Sequence, residues 1–400
     1  MMGAPKPMRF HWSLPTSAGD TGLRGAKPRS ETSALPDVAG NVAFARAAET
    51  AGMDSVLVPI GFYRSDPVTV AAVMGTETST VKFMLASRSG LISPTYFVQQ
   101  VNTLSVLTGG RVAINSVAGH TPEEQRFFGD PLPHAERYRR TAEFWAVCHA
   151  LWDADGPVNF DGAYYRIRDA QVSVPFTSAE RTRPEIYLGG NSNEAQRVAI
   201  THADCNLRFP DTPDRLAPSV AETLRGGIEC GLVLSVIVRS TRQEARQAAN
   251  DLIAAAGEQA REVQRKFRAR TDAVGYSNLH DMAVRETDKN GSDGWLTPYL
   301  WFGGVPYLGP TSVSLVGSPE DIADGLFEFR RVGLTQFVFQ GRPDLKTMIA
   351  FGRDVLPLVR AREAREARET PKAREAEQAG EAREALMAAR ASAAREENQA

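Results

Sequence analysis

The stretch IYLGGNSNEAQRVA sets two glycines, an amide and a hydroxyl (Gly189, Gly190, Asn191, Ser192) between an apolar run and a helical pattern that begins near Asn193 or Glu194. Backbone N–H groups at a helix start attract phosphate, glycines let the chain approach a ligand closely, and Asn and Ser side chains add contacts to phosphate oxygens. An ordinary strand-to-helix connection capped by Ser or Asn has the same composition, so spacing alone leaves both readings open. A second polar cluster lies in INSVAGHTPEEQRFFGDPLPHAERYRR, where Asn115, His120, His134, Arg137 and Tyr138 fall close together. These residues suit a ligand-binding rim, and His134 and Arg137 would serve equally well to orient a loop. A third feature is one hydroxyl, Ser235, inside the apolar run LVLSVIVRS, with no evident base partner that would make it a nucleophile.

Other chemistries lack their residues. The six histidines show neither HxH nor HExxH spacing and no acidic cluster accompanies them, so no metal site is expected. No GxSxG elbow supports a Ser-His-Asp hydrolase, and no GxGxxG follows the first strand as a dinucleotide-binding Rossmann domain would require. No lysine or paired carboxylate stands out at the strand ends, which disfavours a flavin-free aldolase or isomerase that binds phosphate on a similar barrel. Cys148, Cys205 and Cys230 are odd in number and far apart, and are read as buried, inert thiols.

The elements that must position these residues form a regular series. MRFHWSLP, DSVLVPI, VKFMLAS, RVAINSVA, EIYLGG, DCNLRF, LVLSVIVR and QFVFQG read as eight strands, with helices such as Val38–Ala51, Thr95–Leu107 and Arg139–Trp152 between them. Eight βα units close into an α/β fold, the (β/α)8 TIM barrel, whose active site lies at the C-terminal ends of the strands. Two stretches exceed a minimal barrel: VNFDGAYYRIRDAQV, a β-hairpin turning at Asp161-Gly162, and the long segment from about 257 to 317. From about Ala361 the chain becomes rich in Ala, Glu and Arg with hardly any apolar face, and is read as a solvated marginal helix broken near Pro371, or as disordered.

Composition agrees with an ordinary soluble protein. Of 400 residues 42% are apolar and 24% charged, and the net charge is -2, so neither nucleic acid nor a membrane is an expected partner. The start, MMGAPKPMRFHW, has no apolar signal core, and the expected location is cytoplasmic.

Several segments, in order and at matching spacing, resemble the bacterial luciferase-like flavin-dependent monooxygenases, within them the alkanesulfonate monooxygenase branch. They are HWSLPT, DSVLVPIG, SPT followed by a helix, LTGGRVAIN, HAERY, YLGGNS, VIVR, ARTDAVG and LVGSPEDIA, from roughly Arg9 to Leu356. The resemblance implies a barrel over residues 1–358, with the insertion at about 257–317 and a tail over 359–400. It implies reduced FMN as co-substrate, dioxygen as oxidant, a separate NAD(P)H-dependent flavin reductase as partner, a small-molecule substrate, and a homodimer or homotetramer. Gly190, Asn191 and Ser192 would hold the FMN phosphate with Tyr138 and His134, and Ser87, Arg88 and Asn115 would lie near the flavin ring. RARTDAVG matches the lid loop, at Arg270 and Thr271.

The departures concern the substrate. Where the alkanesulfonate branch carries Arg-x-His on its seventh strand, this chain has Val233 and Ser235. The branch's Cys after strand two is Arg64 here, its insertion Arg is Leu308, and its Tyr after strand eight is Arg342. Exchange of Arg and His for Val and Ser removes a sulfonate clamp from one wall. Arg64, Arg88, Ser235 and Arg342 remain as candidate catalytic residues, Ser235 as a pocket hydroxyl able to donate one hydrogen bond. The expected reaction is oxygenation of a larger organic substrate such as a biosynthetic intermediate. The alternatives are sulfite release from an alkanesulfonate with Arg64, Arg88 and Arg342 as the clamp, a deazaflavin-dependent oxidoreductase on the same barrel, and a flavin-free phosphate-binding enzyme.

Overall fold

The computed structural model describes residues 6–15, 37–62, 64–119, 121–290, 294–340 and 344–369. Twelve strands are present: β1 (Arg9–Ser13), β2 (Ser55–Val58), β3 (Lys82–Ser87), β4 (Val112–Ser116), β5 (Val158–Asp161), β6 (Arg166–Ala170), β7 (Glu185–Gly189), β8 (Cys205–Arg208), β9 (Glu229–Val238), β10 (Leu300–Trp301), β11 (Ser314–Gly317) and β12 (Leu334–Phe339). Eight of them pair in parallel and close a ring in the order β1-β2-β3-β4-β7-β8-β9-β12. These are the eight apolar runs read from the sequence, and the fold is a (β/α)8 barrel. β5 and β6 form the expected antiparallel hairpin, with Asp161 opposite Arg166.

Period-two alternation divides each strand between two environments. On β1, Phe10 and Trp12 pack outward into the main core with Phe337, Phe339 and Phe351. Inside the ring Leu57, Met84, Ala86, Ala113, Tyr187, Cys205, Leu207 and Val338 fill a smaller cluster, the plug that separates the two ends of the barrel.

The lower end is closed by polar groups that satisfy one another. Arg9 donates to both carboxylate oxygens of Glu185 at 2.8 and 2.6 Å, and Glu229 accepts from Lys6, Thr335 and Gln336. The Gln336 carbonyl oxygen lies 2.9 Å from His11 Nε2, so that nitrogen carries the proton and Nδ1 accepts from Ser55 Oγ at 2.7 Å. Burial holds the His11 imidazole below its ordinary pKa, which favours this neutral tautomer.

β9 has ten residues, against four to six in the other barrel strands, and its two halves do different work. Cys230 to Leu234 pair with β12, whereas Ser235 to Val238 pair with β11, whose other neighbour is the two-residue β10. β10 and β11 are absent from the sequence reading. Two and four residues within a Gly-, Pro- and Ser-rich segment carry too little periodicity to register as strands. The helix Arg242–Arg268 after β9 breaks at Gly257 (φ 67°), the residue at which the sequence reading began its insertion.

At the C-terminus, helix Leu345–Ala350, a π-helical turn at Phe351–Val355 and helix Leu356–Glu369 follow without interruption across the 358/359 boundary. The last described helix seats Val359 in the main core, with Leu356 packed against it, and adds polar contacts. Glu363 accepts from the Met8 amide at 2.6 Å, Arg360 donates to the Met8 carbonyl at 2.8 Å, and Glu366 pairs with Arg330 at 2.6 Å. The remainder of the tail, from residue 370, lies outside the described residues.

One half-buried pair should give the fold a pH dependence. The His149 and His202 rings stack at 5.8 Å, and burial, then the neighbouring His149, lower His202 to about 4. The unfolded chain takes up this proton near pH 6.5, the folded chain only near pH 4, so stability falls as the pH drops through that window. His202→Gln should flatten the slope of unfolding free energy against pH between about 6.5 and about 4, as read by denaturant unfolding. An unaltered slope would show that other groups carry it.

Candidate active site

A cavity of about 680 Å³ opens at the C-terminal ends of the strands, within the roughly 300–1,000 Å³ typical of small-molecule pockets. Its wall runs around the barrel mouth and includes Arg64, Arg88, Asn115, His134, Tyr138, Gly190, Asn191, Ser192, Val233, Ser235 and Leu308. Residues as far apart in sequence as Arg64 and Leu308 thus share one site, because the barrel gathers the C-terminal ends of its strands and the loops and helices that follow them.

The glycine-rich turn has the geometry of an anion cradle. Gly190 has φ 154°, and a Cβ there would stand 2.4 Å from the Ala195 Cβ and 2.7 Å from the Tyr138 hydroxyl, so only glycine fits. Ser192 caps helix Asn193–His202 by accepting from the Ala195 amide at 3.2 Å, and its hydroxyl also interacts with Glu194 and Tyr138. Asn191 accepts from the Phe209 amide at 2.9 Å, so its side-chain NH2 is turned away from that contact. Burial pushes the Tyr138 phenol up to about 12 and keeps it a donor, and its ring meets His134 edge-on at 5.1 Å. Burial also lowers the His134 imidazole, against the attraction of Asp272. The helix N-terminus is faced for now by Glu194, whose carboxyl is lowered by its own backbone amide and by Ser192.

Across the mouth, Arg88 is 4% exposed and donates from Nη2 to Glu124 at 2.8 Å, while its Nε and Nη1 are buried without a partner. Asn115 likewise has a buried Oδ1 with no partner. Orphaned buried polar atoms cost about 1–3 kcal/mol each, so three of them on two residues of one cavity wall are a mark of a ligand site.

Two sequence expectations change. Ser87 does not line the cavity: Ala86 faces the barrel interior and Arg88 the cavity, and alternation turns Ser87 the other way, level with Ser116, whose hydroxyl accepts from Trp145 in the helical layer. Ser235 reaches the cavity wall, yet its hydroxyl is directed at the carbonyls of Thr311, at 2.9 Å, and Gln340. It pins the point at which β9 exchanges β12 for β11, and its proton is spent on the main chain rather than held for a substrate. Arg342 and His120 lie outside the described residues.

Over this mouth lies the segment expected as a lid. Arg270 pairs with Glu123 at 2.8 Å and Asp272 with the buried Arg137 at 2.7 Å. Gly275 is so close to the cradle that a Cβ there would be 3.2 Å from Asn191 Oδ1. Glu124, Asp272, Gln264, Phe267 and Trp301 were not foreseen, since nothing local in the sequence marks a partner that arrives from a distant loop.

A closed parallel barrel with a glycine-rich turn at a helix start after β7, and a cavity at the strand C-termini, is the arrangement of an α/β barrel enzyme. The profile of the luciferase-like monooxygenase family matches residues 8–336, and the chain belongs to that family. Its fold is similar to that of the EDTA monooxygenase of Chelativorans sp. BNC1, at 18% identity and TM-score 0.68 over 89% of this chain and 94% of that one. It is similar, at 19% identity and TM-score 0.66, to a riboflavin lyase solved with modified FMN and riboflavin, covering 89% and 92%. An F420-dependent secondary alcohol dehydrogenase shares the fold at 16% identity and TM-score 0.58, over 88% and 99%.

Among the described residues no group of three or more His, Cys, Asp or Glu side chains could hold a metal ion, and no helix is long and apolar enough to cross a membrane.

Proposed function

We propose that the protein is the oxygenating component of a two-component system, which receives reduced FMN from a separate NAD(P)H-dependent reductase in the cytoplasm and uses dioxygen to oxygenate an organic substrate. The observation that carries this reading is the cradle at Gly190 to Ser192, facing a cavity with the orphaned Asn115 carboxamide on its wall. These residues fit FMN. Gly190, Asn191 and Ser192 would hold its phosphate with Tyr138 and His134, and Asn115 would meet the polar edge of the ring. When bound, reduced FMN supplies the activation of dioxygen.

The chain's own share is to bind, orient and exclude water. The Tyr138 phenol, protonated at neutral pH, donates toward the cradle. Arg270 and Asp272, latched to Glu123 and Arg137, hold the covering segment over the mouth and keep bulk water out. Val233 gives the substrate an apolar wall where the alkanesulfonate branch has a cation.

The test is an anaerobic titration with photoreduced FMN and with photoreduced riboflavin, then admission of oxygen in the presence of candidate substrates. The expected result is FMN bound at least tenfold more tightly than riboflavin, and a product mass raised by one oxygen atom. Equal affinity for the two flavins removes the phosphate assignment. Preference for a reduced deazaflavin makes the chain a dehydrogenase, and sulfite release from alkanesulfonates returns the narrower reading.

A further inference from the structure

Two features at opposite poles of the barrel mouth take no part in the glycine-rich turn that would hold the phosphate. Arg88 follows β3, and the ring order leaves three strands on either side between β3 and β9, so the two face each other across the cavity. At the β3 pole, Arg88 gives one nitrogen to Glu124 and leaves Nε and Nη1 unpartnered, with the guanidinium 5.4 Å from the Phe128 ring centroid. Arg64 shares this corner: its Nε and the Glu124 Oε1 are each 3.3 Å from the point a Gly61 side chain would take. A buried guanidinium with two unpartnered nitrogens is suited to the two oxygens of a carboxylate or similar acid.

At the β9 pole the wall is largely apolar, with Ser235, Ser314 and Arg239 among the polar residues that border it. Beyond Ser235 the strand leaves β12, and the cavity continues along Val236 and Ile237 to Ala248, Leu252 and Trp301. Some of these residues belong to a separate small core between β9, β11 and helix Arg242–Arg268, so the void borders hydrocarbon on that side.

We infer that the substrate is an amphiphilic organic acid, its anionic group held by Arg88 and its apolar body laid along the β9 side. This rests on the flavin reading, which places the phosphate on β7 between the two poles. Arg88 would thereby set substrate specificity and orientation rather than cofactor affinity.

Octanoate and octanamide are the probes, equal in chain length and different in charge, titrated by tryptophan fluorescence into the full-length protein with and without photoreduced FMN. The expected result is at least tenfold tighter binding of octanoate to the wild type. Arg88→Met combined with Glu124→Gln, which removes the pair without stranding a charge, should abolish that preference and leave FMN affinity within about threefold. Arg88→Lys, which keeps the charge and loses the fork, should retain a smaller preference and guards against a folding defect in the double variant.

Equal binding of acid and amide to the wild type overturns the inference, as does a preference that survives in the Met/Gln variant. Loss of FMN affinity in that variant also overturns it, because Arg88 would then serve the flavin. An acid preference present without FMN, in a protein that binds no reduced FMN, would keep the anion site and remove the flavin reading instead.

Discussion

Ser192→Asp should weaken reduced FMN binding by about 100-fold while leaving the stability of the protein nearly unchanged. Both halves follow from the position of residue 192. Its side chain caps helix Asn193–His202 by accepting from the Ala195 amide, and aspartate is as good an acceptor there as serine. The helix therefore keeps its cap, and unfolding should move by less than about 0.5 kcal/mol. A phosphate in the cradle would face the new carboxylate at about 5 Å, and two like charges at that distance repel by about 3 kcal/mol at an effective dielectric constant near 20. About 2.7 kcal/mol of that corresponds to 100-fold in affinity. Reduced riboflavin, which has no phosphate, should bind the variant and the wild type alike. An unchanged FMN affinity would place the phosphate elsewhere.

The cradle could be read in the sequence because its parts are contiguous: Gly190, Asn191, Ser192 and the helix start fall within a few residues and need no distant partner. The eight barrel strands were legible for a related reason. Parallel strands covered by helices on one face and closed around a core on the other are apolar on both, so each appears as an unbroken run bounded by polar residues. Facing is harder than existence. Ser87 and Arg88 were read as a pair near the ligand, yet a strand turns one residue in and the next out, and only Arg88 lines the cavity.

Ser235 shows what local pattern cannot reach. In LVLSVIVRS it is one hydroxyl among branched residues, and the family resemblance put it on the pocket wall, where it does stand. What it does there depends on Thr311 and Gln340, 76 and 105 residues away, whose carbonyls take its hydrogen bond. The length of β9 was the one available hint, since a run of ten residues exceeds what a barrel of short strands uses. The same limit applies to Glu124 beside Arg88 and to Asp272 beside Arg137, where charge pairs join loops that the sequence presents separately.

Arg137→Met should destabilise the protein by about 3 kcal/mol and uncouple reduced FMN oxidation from product formation. Arg137 is 1% exposed and donates from all three nitrogens, to the Ala118 carbonyl at 2.8 Å, the Leu132 carbonyl at 3.0 Å and Asp272 at 2.7 Å. Methionine fills much of the same volume and supplies none of these bonds, so two carbonyls and a carboxylate lose their donor. Removal of one partner from a buried ion pair costs about 3–5 kcal/mol, and the lower figure applies because Asp272 is 24% exposed and can regain water. The three partners lie on the β4 loop, the approach to helix His134–Asp153 and the covering segment, so the loss releases that segment from the mouth. Hydrogen peroxide should then rise at the expense of oxygenated product. Arg137 also holds the His134 imidazole down while Asp272 raises it, so the variant should show His134 titrating at higher pH by NMR. If Arg137→Met lowers stability but leaves both coupling and the His134 titration as in the wild type, Arg137 braces the loops without governing the site. If the double change with Asp272→Asn restores stability but not coupling, the ion pair itself is the latch, because an uncharged pair would then stand without closing the mouth.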